Sequence, residues 1–443
     1  MADISSGATS DISPAEAAFA PAKLTTADGK PLKEALIAAQ ARARRRAFYL
    51  VAPLLVFVLL AFIVPIGQML HQSIYNADFT VHVDKGTKEE TPIMVNLQEW
   101  FDATPAQTAP DEAAFAALAQ DLIQLRDLRG QGEVGTRINY EVPGTRSLFT
   151  KSARRAPKLE APFKDSILAI DEDWADPLLW QAMRNASSPY SINFYLAALD
   201  LTRNAENEIV AVDENRQIRV KLFIRTGILS VIITVTCFFL AFPIAHLLAT
   251  MPLRYSNLLM ILVLLPFWTS LLVRTTSWIV LLQSQGVLND VMVALGIVGD
   301  DGRVQLIYNE IGTVIAMTHI LLPFMVLPLF SVMRVINPSY VRAARSLGAT
   351  SWTAFRRIYL PQCVPGIGAG SLLVFILAVG YYITPALVGG AKGTLISNEI
   401  AFHMTSSLNW SLAAALAALL LAGVLILYWL YDRLIGIDNL KLG

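Results

Sequence analysis

The side chains of this chain that could do chemistry are few and dispersed. The histidines, His71, His82, His246, His319 and His403, are scattered and form no ligand set. Cys237 and Cys363 fall in or beside apolar runs and read as small hydrophobes, not as a disulfide or zinc pair. No Gly-x-x-x-x-Gly-Lys-Ser/Thr stretch is available to cradle nucleotide phosphates, and no His-Glu-x-x-His or Gly-x-Ser-x-Gly constellation to hold a metal or a nucleophile. The expectation is therefore no catalytic residue, no metal and no cofactor on this chain. What remains are polar groups set in apolar text. An arginine at the centre of a membrane span costs about 2.5–3.5 kcal/mol, so Arg274 must face protein, a cavity or the headgroups. Trp268, Asn289, Asp290, Glu399 and Trp410 are candidates to meet a cation, because aromatic faces and carboxylates attract ammonium groups, and Arg274 is a candidate to line a pathway or to touch another subunit. Trp268 and Trp410 fit an interfacial aromatic belt still better.

The elements that would position these residues are long apolar runs. Only 16% of the 443 residues are charged, against roughly a quarter in soluble chains, and the mean hydropathy is +0.50. A span needs roughly 20 apolar residues. Six stretches qualify: Phe48–Leu70, Phe223–Thr250, Leu258–Leu282, Ile311–Met333, Val364–Leu387 and Leu412–Tyr431. Backbone groups cannot stay unpaired in lipid, and runs this continuous satisfy them as helices. The class is an all-α integral membrane protein with about six transmembrane helices. Pro266, Pro323 and Pro328 interrupt these runs, as kinks that open a cavity or as plain irregularities. The net charge of +0 suggests no nucleic-acid partner.

Basic residues orient the spans. Residues 1–46 read as a largely disordered cytoplasmic tail ending in Arg42, Arg44, Arg45 and Arg46, and 47–70 as the first span and not a signal peptide. Six crossings then leave 436–443 in the cytoplasm and 71–221 in the periplasm. This insert has an acidic excess, more often a solvated surface than a cation funnel. It shows helical periodicity over Asp111–Arg129 (Phe115, Leu118, Leu122, Leu125), a second helix over Trp174–Ala186, and loops around Gly130–Gly135 and Ala156–Pro162. A mostly helical domain is expected, with a poorly ordered insertion as the alternative. Residues 222–435 hold the other five spans.

The most informative text is the cytoplasmic loop 336–362. It reads as a helix through Arg342, Ala343, Ala344 and Arg345, a break at Gly348, and a second short helix ending near Pro361. Ala343 and Ala344 let another surface approach. Gly348 can adopt backbone angles that bulkier residues resist. Leu347 and Phe355 are apolar knobs, and Arg342, Arg345, Arg356 and Arg357 keep the element on the cytoplasmic side.

The pattern Ala343, Ala344, Gly348, Ile358, Leu360, Pro361 resembles the EAA loop of binding-protein-dependent ABC importer permeases. Over Leu222 to Tyr431 the text is most similar to the spermidine/putrescine type: Leu265-Pro266-Phe267-Trp268-Thr269, Gly286-Val287-Leu288-Asn289, Leu322-Pro323-Phe324-Met325 and Gly389-Gly390-Ala391-Lys392. The resemblance implies the MetI-like permease fold of a bacterial inner-membrane protein. It also implies a coupling helix that docks on an ATPase subunit, with Arg342, Ala343, Ala344, Leu347, Gly348, Phe355, Arg356, Ile358 and Pro361 at or near that contact. Implied partners are two ABC ATPase subunits carrying ATP and Mg, a second homologous permease, a periplasmic solute-binding protein, the bilayer and a small solute such as putrescine or spermidine. Iron, thiamine, aminophosphonate or amino-acid-like solutes are the alternatives within the class. A membrane sensor or enzyme working through the insert is the alternative outside it. Arg342 stands where the family usually has glutamate, Ser346 where an acid is common, and the long insert departs from the spermidine/putrescine group.

Overall fold

The computed structural model describes residues 32–84, 86–105 and 108–435. The expectations for residues before Leu32 and for 436–443 lie outside them. Helix begins at Leu32, where the text after Pro31 turns helical (Lys33, Glu34, Leu36, Ile37). α1 (Leu32–Val58) already contains the basic cluster, because Leu32 to Ala52 are mostly strong helix formers without glycine or proline. It continues through a π-turn, Leu59–Ile63, into α2 (Val64–Gln72). The π-turn closes with the Val64 N–H on the Leu59 carbonyl just before Pro65, which has no N–H to give. Apolar side chains along α1 are exposed, Leu50 at 83% and Phe57 at 60%, as a lipid-facing helix requires.

The insert is a folded, mostly helical domain. β1 (Val81–Val83) pairs antiparallel with β2 (Glu90–Pro92). Helices α3 (Val95–Ala103), α4 (Glu112–Leu128), α5 (Gln131–Asn139), α6 (Thr145–Arg155), α7 (Phe163–Leu168), α8 (Pro177–Ala186) and α9 (Asn193–Ala198) follow. A second hairpin, β3 (Leu201–Arg203) with β4 (Ile209–Ala211), closes it. The predicted stripe Phe115, Leu118, Leu122, Leu125 is buried in one core with Phe149, Trp174 and Met183. The loop expected around Gly130–Gly135 is instead helix α5. Gly135 serves close packing there, since a Cβ would meet the Arg146 Cα of α6 at 2.9 Å.

The first N–H groups of α3 are satisfied from a distance. Its N-cap, Met94, is left-handed and offers no side-chain acceptor. The buried Asp121 of α4 accepts from Asn96 N (3.2 Å), Asn96 Nδ2 (2.7 Å) and Leu97 N (2.8 Å). Burial pushes the Asp121 carboxyl above the ordinary carboxylate range, and these donors pull it part of the way back.

Beyond the insert, α10 (Arg219–Thr250), α11 (Leu253–Trp268), α12 (Leu271–Leu282), α13 (Val287–Ala294) and α14 (Glu310–Val335) lead to α15 (Ser339–Ser346) and α16 (Ser351–Ala354). Then come α17 (Leu360–Gly380), α18 (Ile383–Val388), α19 (Gly390–Gly393), α20 (Ile396–Thr405) and α21 (Trp410–Ile435). Among the described residues five helices are long and apolar enough to cross a membrane, or six with one bent pair. The bent pair corrects the third span. Leu258–Leu282 is not one helix but α11 and α12, broken at Thr269 and Ser270, with Leu253–Trp268 bent 96° from Leu271–Ala294. The fifth span is also shifted. It runs from Ser351 to Gly380, and the chain leaves helix at Tyr381.

The core of this half is α10, α14 and α17, packed around Cys237, Ala241, Met325, Leu329, Cys363 and Val374. Gly366 and Gly370 bring α17 against α14. A Cβ at Gly366 would stand 3.0 Å from the Pro328 carbonyl, and one at Gly370 would stand 2.7 Å from Met325 Sδ. Pro323 and Pro328 sit inside α14, which is helical through both. Asp121→Ala is expected to leave the α3 donors unpaired and to destabilise the insert by about 1–3 kcal/mol. The check is an earlier thermal midpoint for proteolysis within the insert of the detergent-solubilised protein, with the melting of 222–435 little changed.

Candidate functional site

The 336–362 element is built around one turn. After α15 the Gly348 N–H donates to the Arg345 carbonyl and the Ala349 N–H to the Ala344 carbonyl, both at 3.0 Å. Gly348 has φ +90°, and a Cβ there would meet nothing within 4 Å. This is the Schellman ending of a helix, in which the residue after the cap must be left-handed. The glycine four residues after Ala344 is thus dictated by the backbone, not by crowding. Thr350 then caps α16, its Oγ1 accepting from Thr353 N at 3.2 Å.

The second helix does not end near Pro361, contrary to the sequence expectation. α16 passes through a π-turn, Phe355–Tyr359, directly into α17. The Leu360 N–H reaches the Phe355 carbonyl, and the widened turn admits Pro361, as the π-turn before Pro65 does. Phe355 and Val341 pack on the α10–α14–α17 core. Phe355 meets the Phe242 ring edge-on at 6.0 Å, and Tyr359 Oη lies 2.9 Å from His246 Nδ1 of α10. Arg334 of α14 caps the end of α10, donating to the Ala249 (2.7 Å) and Met251 (3.2 Å) carbonyls. The element is therefore rooted in the α10–α14–α17 core. Its other side is open: Leu347 is 89% exposed, and Tyr340, Ala343, Trp352, Arg342, Arg356 and Pro361 are exposed as well. Ala344 and Ile358 are half-buried.

Of the six expected path residues, Arg274, Asn289, Asp290 and Glu399 each hold a neighbouring group. Arg274 donates from Nη2 to the Pro266 carbonyl and to the Thr269 carbonyl (3.1 Å), and from Nε to Thr269 Oγ1 (3.3 Å). It thereby satisfies the carbonyls freed at the α11–α12 break. Asn289 is fully buried and pins loops. Its Nδ2 donates to the Gln283 (3.1 Å) and Val304 (3.0 Å) carbonyls, and its Oδ1 accepts from Val304 N (2.9 Å). Asp290 pairs with Arg303 at 2.7 Å. Glu399 pairs with His403 at 3.1 Å. Trp268 and Trp410 are exposed at helix ends.

A pair the sequence reading passed over lies deep in the spans. Trp278 Nε1 of α12 donates to His319 Nδ1 of α14 at 3.1 Å. An indole N–H only donates, so the His319 proton is fixed on Nε2. The available signal was position, since an ionisable residue nine residues into a long apolar helix faces protein or a cavity. Gly389 to Gly393 packs against the start of α14, where Thr313 Oγ1 donates to the Gly393 carbonyl at 3.1 Å.

Residues 226–435 match the family described as binding-protein-dependent transport system inner membrane component. The spermidine/putrescine transport system permease protein PotB of Salmonella typhimurium (strain SL1344) is 35% identical over 211 residues, covering 47% of this chain and 73% of that one. The inner membrane ABC transporter permease protein YdcU of Escherichia coli (strain K12) is 33% identical over 208 residues, 44% of this chain and 65% of that one. Among solved structures, a bacterial alginate ABC transporter in complex with an alginate pentasaccharide-bound periplasmic protein is similar at 18% identity and a TM-score of 0.44, covering 51% of this chain and 81% of that one. With its multi-pass helical core and the Ala-Ala-x-x-x-Gly turn ahead of α17, the chain belongs to the family of binding-protein-dependent transport system inner membrane components, as a permease subunit of an ABC importer.

Proposed function

We propose that this chain forms half of the translocation path of an ATP-driven importer for a polyamine such as putrescine or spermidine. The observation that carries the coupling role is the Gly348 turn, which presents Tyr340, Ala343 and Leu347 outward while Val341, Phe355 and Tyr359 tie the element to α10, α14 and α17. Support for the solute is the 35% identity with a spermidine/putrescine permease.

In this reading the 336–362 loop, both chain ends and Arg254 lie in the cytoplasm, and the insert lies in the periplasm, where it receives a solute-binding protein. The bent α11–α12 pair then counts as one crossing. Two ATPase subunits hold ATP and Mg, and none is held here. Their closure draws this loop and that of a second, homologous permease together. The path then opens outward to take solute, and inward after hydrolysis. Trp278 and His319 join Trp268 and Trp410 as groups that meet the solute. Within the described spans of 219–435 no carboxylate lies away from the helix ends, so the countercharge for an ammonium comes from aromatic faces and from the second permease.

Three outcomes test this. A tagged chain isolated from native membranes in mild detergent is expected to bring down an ATPase and a second permease in stoichiometric yield; isolation alone in several detergents refutes the assembly. Excess putrescine or spermidine is expected to compete for uptake, and failure of both to compete or be carried refutes the solute. Gly348→Val forces a branched side chain into the left-handed region, at a cost of about 1–2 kcal/mol. It is expected to cut transport about tenfold with normal membrane insertion, whereas Gly348→Asn keeps most of it. Equal transport by both variants would remove the turn from the mechanism.

A further inference from the structure

A cleft of about 610 Å³ lies where the insert meets the permease half, within the range of about 300–1,000 Å³ typical of small-molecule sites. Tyr140 and Glu141 between α5 and α6, Leu178 of α8, helix α9, the β3–β4 hairpin and the starts of α10 and α21 form its walls. Its cations are Arg203, Arg216 and Arg219, and its carboxylates are Glu141 and Asp213. Asp213 and Arg216 are exposed and opposite in sign. Glu141 is spent on Arg137 at 2.8 Å and on Asn193 at 3.2 Å. That leaves Arg203 and Arg219, both half-buried. Two further carboxylates stand near Arg219, but both are taken. Asp200, 3.9 Å from Nη1, holds the first N–H groups of α10, and Glu399 pairs with His403.

Arg219 Nη1 donates to the Ala197 carbonyl at 3.0 Å. Its Nε is buried without a partner, and its Nη2 donates to nothing among the described residues. Nε and Nη2 form the guanidinium edge that grips a carboxylate or phosphate through two parallel hydrogen bonds. Exposed arginines without partners, such as Arg254 and Arg433, are met by water. A buried N–H is not, and it calls for an acceptor. Arg203 has a donor to spare as well, since its Nε is on Asn193 and its Nη1 on Asn207. Leu178, Leu201 and Leu412 give the cleft an apolar wall. We propose that this cleft binds a small organic anion, its carboxylate or phosphate held by Arg219 and Arg203 and its apolar part against Tyr140, Leu178 and Leu412. A soluble metabolite and the headgroup of an anionic phospholipid present the same chemistry. A cationic solute does not, so the site is not one for a polyamine, and it stands independently of the importer reading. An anion there bridges the last hairpin of the insert to the first turn of α10.

The test uses the full chain in neutral detergent, washed free of lipid, with phenyl phosphate and glutarate as soluble probes and putrescine as the counter-probe. A second arm places the chain in phosphatidylcholine nanodiscs with and without phosphatidylglycerol. Saturable binding of an anion is expected, with the thermal midpoint raised by about 2–4 °C. Arg219→Lys keeps the charge and loses the two-pronged edge, and is expected to weaken binding about tenfold. Ala211→Trp fills the cleft from an exposed lining position and is expected to abolish binding. Binding of a soluble probe that both variants weaken identifies a soluble ligand. A response to phosphatidylglycerol alone, lost in both variants, identifies a headgroup. If neither soluble anion nor phosphatidylglycerol binds, if binding is indifferent to both variants, or if putrescine displaces the anion, the proposal is overturned. Should Arg219→Lys fail to give monodisperse protein, Ala211→Trp decides.

Discussion

A helix leaves its first N–H groups and last carbonyls without partners, and in apolar surroundings each orphan costs several kcal/mol. Much of this structure is arranged to meet that demand with side chains from elsewhere. Asp121 of α4 serves the start of α3. Glu112 accepts from the Phe163 and Lys164 N–H groups that begin α7. Asp200, at the end of the insert, accepts from Arg219 N (3.2 Å) and Val220 N (2.8 Å) at the start of α10. Arg334 takes the carbonyls at the other end of α10, and Arg274 those at the α11–α12 break. Anions sit at helix starts and cations at helix ends, the polarity the helix dipole favours. Charged residues that look like functional candidates in a membrane protein are here partly consumed by backbone.

The 336–362 element follows the same logic. Its turn is closed by two backbone hydrogen bonds, and its continuation into α17 stays helical through a π-turn placed just before Pro361. α17 in turn lies close on α14 because Gly366 and Gly370 permit it. The element reaches the helix core through Phe355 on Phe242 and Tyr359 on His246.

The sequence made local features legible. Long apolar runs marked the spans, the 3.6-residue stripe of Phe115 to Leu125 marked α4, and the spacing from Ala344 to Gly348 marked the turn. These signals lie within a window of a few residues, where propensity and periodicity act. The features that escaped depend on partners far along the chain. Asn289 reads as a polar candidate until its amide is seen spent on Gln283 and Val304. Arg274 reads as a charge in a span until the break it closes is known. The break itself lies between two apolar segments that together have the right length for one span. Gly135 reads as a loop residue because its reason, the backbone of α6, is supplied by folding. Trp278 and His319 are 41 residues apart, and only the packing of α12 on α14 joins them.

Asp200 is more than a cap. It joins the insert to the first residues of α10, and Phe194 and Ala198 of the insert share a small apolar cluster with Ile396 of α20 and Leu412, Ala415 and Leu416 of α21. Asn76 also donates to Ser411 at 3.1 Å. The insert is thus bolted to three helices of the permease half, not hung from a flexible tether. α10 meets Asp200 at one end and the Tyr359 hydroxyl near the other, so one helix links the insert to the 336–362 element. A single helix, Arg219–Thr250, therefore spans the distance between the insert and the Tyr359 hydroxyl.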